Sequence, residues 1–134
     1  MNTQFSQVHW GRVLLIGVLL AILILVLNLV LSFLLLAFLN WGHLDPHSAI
    51  RVFSWILAFL AILLTGYGAL RVARNVESAA PLHGLLVGLV AALIYFLIGL
   101  ASSRRFDLVA LVPFVLMVAA GWLGGVLGSR VRSR

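Results

Sequence analysis

Four long apolar stretches fill this chain almost end to end, and none carries a charge in its interior. Val13–Leu39, Val52–Leu70, Ala79–Ala101 and Leu108–Leu127 are each long enough to cross a bilayer, whose hydrocarbon core of about 30 Å needs roughly 20 helical residues. In hydrocarbon a backbone must satisfy its own hydrogen bonds, and apolar runs of this length do so as helices. The expected fold is therefore all-α: a polytopic membrane protein whose four transmembrane helices, over about 13–39, 50–72, 79–101 and 107–128, form a compact bundle.

Composition leaves room for little else. The chain has 134 residues, 64% of them hydrophobic and only 9% charged, against about 25% charged in a soluble domain. Everything outside the spans is tail or short loop, so residues 1–134 read as a single four-helix domain. The first apolar run is far longer than the roughly 7–15-residue core of a cleavable signal peptide. It ends in Ala37-Phe38-Leu39-Asn40-Trp41, whose aromatics suit a membrane interface. With no cysteine, thiolate catalysis, disulfides and thiolate metal sites are excluded.

The net charge is +6, and every basic residue is Arg. These arginines flank apolar runs, where they meet headgroups and set topology, and no basic patch with interleaved aromatics points to nucleic acid. One side of the bundle would hold Arg12, Arg71, Arg74, Arg130, Arg132 and Arg134 against Glu77. The other would hold Arg51, Arg104 and Arg105 against Asp45 and Asp107. That asymmetry predicts that both termini are cytoplasmic. Trp10, Trp41, Tyr67 and Trp122 lie near span ends, and Trp55 slightly deeper.

Local chemistry marks the boundaries. Asp45-Pro46-His47-Ser48 reads as a turn with Ser48 capping the second helix. Pro81 suits the first turn of the third helix. Asp107 can cap the fourth, and Pro113, one to two turns inside it, should bend or loosen its start.

Each helix carries a stripe of small residues at helical spacing. The first has Gly17, Ala21, Asn28 and Ser32, and the second has Ser54, Ala58, Ala61, Thr65 and Gly68. The third has Gly84, Gly88, Ala91, Tyr95, Gly99 and Ser102, and the fourth Ala110, Met117, Gly121, Gly124 and Gly128. Lipid tails are as apolar as Leu, so close backbone approach and interhelical hydrogen bonds must hold such helices together. Gly17, Asn28, Ser32, Gly84, Gly88, Gly121, Gly124 and Gly128 are accordingly the candidate packing residues. Asn28 is the one strongly polar side chain near a span's middle, and its amide calls for a partner.

Catalytic groupings are lacking. No Ser–His–Asp set, paired carboxylates or phosphate-binding loop occurs, and the glycines of Gly66-Tyr67-Gly68 lie in an apolar helix end. His43-Leu44-Asp45-Pro46-His47 holds two imidazoles and a carboxylate, but it is a short turn without a fourth ligand and reads as an interfacial loop. His83, in the first turn of the third helix, and His9 read as interface residues, with a pH-sensitive role the sharper alternative. The two helical hairpins are weakly alike: Leu14-Leu15-Ile16-Gly17 with Ala21 aligns without a gap on Leu85-Leu86-Val87-Gly88 with Ala92.

Gly66-Tyr67-Gly68-Ala69, Ala73-Arg74 and Leu82-His83-Gly84-Leu85-Leu86-Val87-Gly88, with the glycine-rich end of the fourth helix, resemble the YrzE-like family of small bacterial four-helix membrane proteins. The resemblance implies an integral fold in the bacterial inner membrane and brings no activity with it. The long first helix and the arginine-only tail have no counterpart in that pattern.

The expected function is structural or interactive, as an accessory subunit or homo-oligomer of the cell membrane, with no enzymatic activity, cofactor or metal. Its partners would be the lipid bilayer and either itself or a larger membrane complex, not nucleic acid. The alternative is a small channel or transporter acting as an oligomer. Transport paths usually show an intramembrane ionisable group, and here Asp45, Glu77 and Asp107 all lie at span ends.

Overall fold

The computed structural model describes residues 10–42, 45–76, 79–103 and 111–132. Among these, four helices and no strand occur: α1 (Trp10–Trp41), α2 (Pro46–Arg74), α3 (Ala80–Ser103) and α4 (Leu111–Arg132). Each is long and apolar enough to span a membrane, and together they pack as a bundle. α1 and α2 run a few residues beyond their apolar stretches at both ends, and α3 and α4 at their C-terminal ends, because helical geometry continues to the capping chemistry while hydropathy stops at the first polar residue.

The start of α2 shows this. Asp45, rather than Ser48, is the N-cap: its Oδ2 accepts from the Ser48 backbone N–H at 2.9 Å and from Ser48 Oγ at 2.8 Å. Pro46 then stands at the first helical position, where its ring presets φ and its missing N–H needs no partner. A carboxylate at this end also faces the positive end of the helix dipole. The Ser48 hydrogen bonds hold the Asp45 carboxyl below its ordinary value of 3.8. The last turn of α2 carries Arg71 and Arg74, cations placed at the negative end of the dipole.

Before α3, Ala79 has φ of 53°, in the left-handed region that disfavours any residue with a Cβ. Its carbonyl oxygen accepts from the His83 backbone N–H at 3.0 Å and lies 3.0 Å from His83 Nδ1. A carbonyl can only accept, so Nδ1 carries the ring proton here. Ala79→Gly is therefore expected to stabilise the protein by about 0.5–1 kcal/mol, the left-handed penalty less glycine's extra chain entropy. Thermal unfolding in detergent checks this, and an unchanged or lower midpoint contradicts it.

Asp107 and the foot of the expected fourth span lie outside the described residues. Pro113 is the third described residue of α4, and the stretch before Leu111, on which its expected position one to two turns inside the helix depends, lies outside the described residues.

Burial is uneven along the bundle. In α1 the buried positions are Val13, Gly17, Leu20, Ala21 and Ile24, and none follows Ile24 among the described residues. In α2, Ala49 is the lone buried residue before Ala58. The described helices also differ in length. α1 has 32 residues and α2 has 29, against 24 in α3 and 22 in α4. At 1.5 Å per residue α1 is about 12–15 Å longer than the described α3 and α4. Residues 104–110, between α3 and α4, lie outside the described residues.

Candidate functional site

The densest packing lies between α3 and α4 and is made by glycine. A Cβ built on Gly84 would meet the Gly121 carbonyl oxygen at 2.5 Å and the Gly125 Cα at 2.6 Å. One on Gly121 would meet the Gly84 oxygen at 2.6 Å and the Gly88 Cα at 2.7 Å. Gly88 faces the Met117 oxygen at 2.9 Å, and Gly125 faces the Ala80 oxygen at 2.8 Å. Two glycine pairs spaced by four, 84/88 and 121/125, thus lie backbone on backbone. Carbonyl oxygens rest where a side chain would begin, as in weak Cα–H···O contacts. Further along the same hairpin, Phe96 and Phe114 meet edge to face at 5.9 Å.

A second seam joins α4 to α2. A Cβ on Gly124 would collide with the Gly66 carbonyl oxygen and lie 3.1 Å from Ala69 Cβ. One on Gly128 would lie 2.6 Å from Ala73 Cβ and 2.9 Å from the Leu70 oxygen. Gly121, Gly124 and Gly128 therefore do not act as one face. At 100° per residue, the 121/125 and 124/128 directions diverge by roughly 60°, enough to wedge α4 between two neighbours. Gly125, absent from the sequence candidates, completes the α3 seam.

α1 is held differently. A Cβ on Gly17 would meet Val90 Cγ1 of α3 at 2.6 Å, and one on Gly68 of α2 would meet Leu20 Cδ1 at 2.6 Å. Here a branched side chain fills each glycine notch, where the α3–α4 seam has backbone on both sides. The hairpins that look alike in sequence are thus packed unlike each other: Gly17 receives a valine, while its sequence counterpart Gly88 receives a backbone. At the mouth of this contact Arg12 Nη1 donates to the Asn75 carbonyl at 3.5 Å. A Cβ on Gly99, on the expected α3 stripe, would meet no described residue within 4 Å.

The polar groups within the spans are mostly self-contained. Thr65, fully buried, donates through Oγ1 to the Ala61 oxygen at 2.7 Å. Ser54 Oγ donates to the Ile50 oxygen and Ser32 Oγ to the Asn28 oxygen, each at 2.8 Å. Such bonds to the preceding turn satisfy hydroxyls without another helix. His83 is fully buried at the foot of α3, not exposed at an interface. His9 and His43 lie outside the described residues, and no group of three metal-ligating side chains occurs among the described ones.

Asn28 and Ser32 line an open groove of about 190 Å³ between the far halves of α1 and α2, with Leu35, Phe53, Ser54 and Leu57 opposite or beside them. Beyond it Phe38 and Phe53 meet at 6.2 Å. The Asn28 backbone oxygen accepts from Ser32, but its side-chain amide makes no hydrogen bond to another described residue.

At the opposite end, Arg12, Arg71, Arg74 and Arg130 are all exposed and share the end of the bundle that holds the start of α1 and the finish of α4. Arg71 lies over the Tyr67 ring, 5.3 Å from its centroid, and its Nε donates to the Tyr67 hydroxyl at 2.8 Å. Trp10 and Trp122 are exposed, as interfacial aromatics are. The side chain of Arg132 and all of Arg134 lie outside the description.

Four apolar helices, two glycine seams and charges confined to the helix ends define a small multi-pass, all-α membrane protein. The chain belongs to the family described as "Protein of unknown function (DUF3792)", whose model matches residues 10–128. No curated protein and no solved structure gives a significant match.

Proposed function

We propose that the protein is a structural or interaction component of the bacterial inner membrane, working as an accessory subunit or homo-oligomer and not as an enzyme, with both termini in the cytoplasm. The observation that carries this reading is where the chemistry is missing and where the packing is strict. All three acids of the chain stand at span ends. The span hydroxyls of Ser32, Ser54 and Thr65 are committed to carbonyls of their own helices. The strict geometry is devoted to holding α2, α3 and α4 against one another, which leaves the α1–α2 arm to present a surface. The likeness to the YrzE-like proteins supports the location.

A channel or transporter draws on one feature, the groove at Asn28. It provides a single amide and no ionisable group, which is little for an ion or proton path.

Purification from native membranes in a mild detergent tests the reading. The expected result is a stoichiometric complex, either of the chain with itself or with another membrane protein. A strictly monomeric chain from native membranes would overturn it. The orientation has its own check. A reporter active only in the cytoplasm, fused after Arg134, should be active. Activity from a periplasm-dependent reporter alone at that site would reverse the assignment.

A further inference from the structure

We propose that the far half of the α1–α2 hairpin, centred on Asn28, is an interface with a second copy of this chain, the two Asn28 carboxamides pairing across a two-fold axis along the membrane normal. This rests on the interaction reading above and names its partner.

Three observations converge on that stretch. First, it is uncovered: no described residue of α1 beyond Ile24 is buried, and Leu29, Phe33 and Leu36 are exposed. Leu29 to Leu39 is apolar apart from Ser32, so this surface is not built for water. Second, α1 is long for a bilayer. α1, at about 48 Å, exceeds both the described α3 and α4 and a hydrocarbon core of about 30 Å. A span that exceeds the bilayer tilts, thickens it or oligomerises. Third, an amide with no side-chain partner among the described residues lines the groove, one residue before this run. Lipid tails offer it no donor or acceptor.

The amide also argues for the identity of the partner. A carboxamide is both donor and acceptor, hence complementary to itself, and two of them form a pair of reciprocal N–H···O bonds. Copies of one chain inserted in the same orientation place residue 28 at the same depth. A two-fold axis along the membrane normal then brings the amides together with no further matching, and such isologous contacts are the commonest oligomeric arrangement. An unrelated partner would need its own polar group at that depth. The groove, at about 190 Å³, exceeds the roughly 150 Å³ cavity that takes a benzene-sized group. It can receive a large apolar side chain of the facing α1 beside the amide pair.

The cysteine-free background makes the test direct. Ser32→Cys, one turn from Asn28 on the same face, should form a disulfide-linked dimer in oxidised native membranes. Val30→Cys, at similar depth but on the far side of α1, should not. Adding Asn28→Leu to Ser32→Cys should reduce the cross-linked fraction about threefold or more, while the thermal midpoint of the detergent-purified monomer stays within a few degrees of the parent. Dimers from Val30→Cys but none from Ser32→Cys would overturn the proposed face. Equal cross-linking with and without Asn28→Leu would overturn the amide pair. Absence of both dimers would overturn the second copy as partner; a stoichiometric foreign protein in the native-membrane preparation would then still leave the broader interaction reading standing.

Discussion

Gly84→Ala should destabilise the protein by about 1–3 kcal/mol, and Gly84→Leu by the upper end of that range or more. The new Cβ would stand 2.5 Å from the Gly121 oxygen and 2.6 Å from the Gly125 Cα. Both are backbone atoms, which have no rotamer to move into, so relief requires α3 and α4 to separate. Separation loses the contacts along the whole seam, because Gly88, Gly121 and Gly125 rely on the same approach. Gly99→Ala supplies the contrast on the same helix. Its Cβ would meet no described residue within 4 Å, so the substitution should leave stability unchanged or raise it by up to about 1 kcal/mol through helix propensity. Thermal unfolding of both variants in one detergent measures the pair. Equal effects at residues 84 and 99 would remove the seam from the account.

The α2–α4 seam should respond as strongly and independently. Gly124→Ala directs a methyl into the Gly66 carbonyl and should cost about 1–3 kcal/mol. At Gly128 the obstruction is partly a side chain. The new methyl would meet Ala73 Cβ at 2.6 Å and the Leu70 oxygen at 2.9 Å. Gly128→Ala should therefore be partly rescued by Ala73→Gly, which removes the nearer obstacle and leaves the carbonyl. The same Ala73→Gly change should give Gly84→Ala no relief, since that residue packs on another face of α4. A double-mutant cycle on each combination separates the cases. Rescue of both variants, or of neither, would contradict two distinct seams.

The number of helices was readable from sequence because one physical requirement dominates: a span must be long, apolar and internally hydrogen-bonded. Pairing of faces was less readable. These helices are apolar on nearly every side, so periodicity does not separate a lipid face from a buried one. Gly121, Gly124, Gly125 and Gly128 fall within about 100° of arc on α4, and spacing alone does not show that the arc serves two neighbours. The reciprocal four-residue spacing of 84/88 and 121/125 was the available signal.

Asn28 and the α2 cap illustrate two further limits. A stripe shared with Gly17 and Ala21 suggests that Asn28 packs inward as they do. In the fold it lies past the last buried residue of α1, in the groove with α2, which a face pattern alone does not show. At α2, Asp45 and Ser48 are both capping residues by type. The proline between them decides the matter, since Pro46 favours the first helical position and moves the cap one residue ahead of it. His83 could equally suit a headgroup layer or a buried first turn. Its bond to the Ala79 carbonyl accompanies an unusual backbone angle that composition does not announce.

The central claim, that the chain packs and associates in the membrane and does not conduct, is tested most directly by flux through purified protein in liposomes, with thermal stability measured on the same samples. Wild type should show no ion or solute flux above empty liposomes while remaining folded. Asn28→Leu should likewise show none, with the change confined to association or stability. Clear wild-type flux that disappears in a stably folded Asn28→Leu would contradict the account and establish the groove as part of a conduction path.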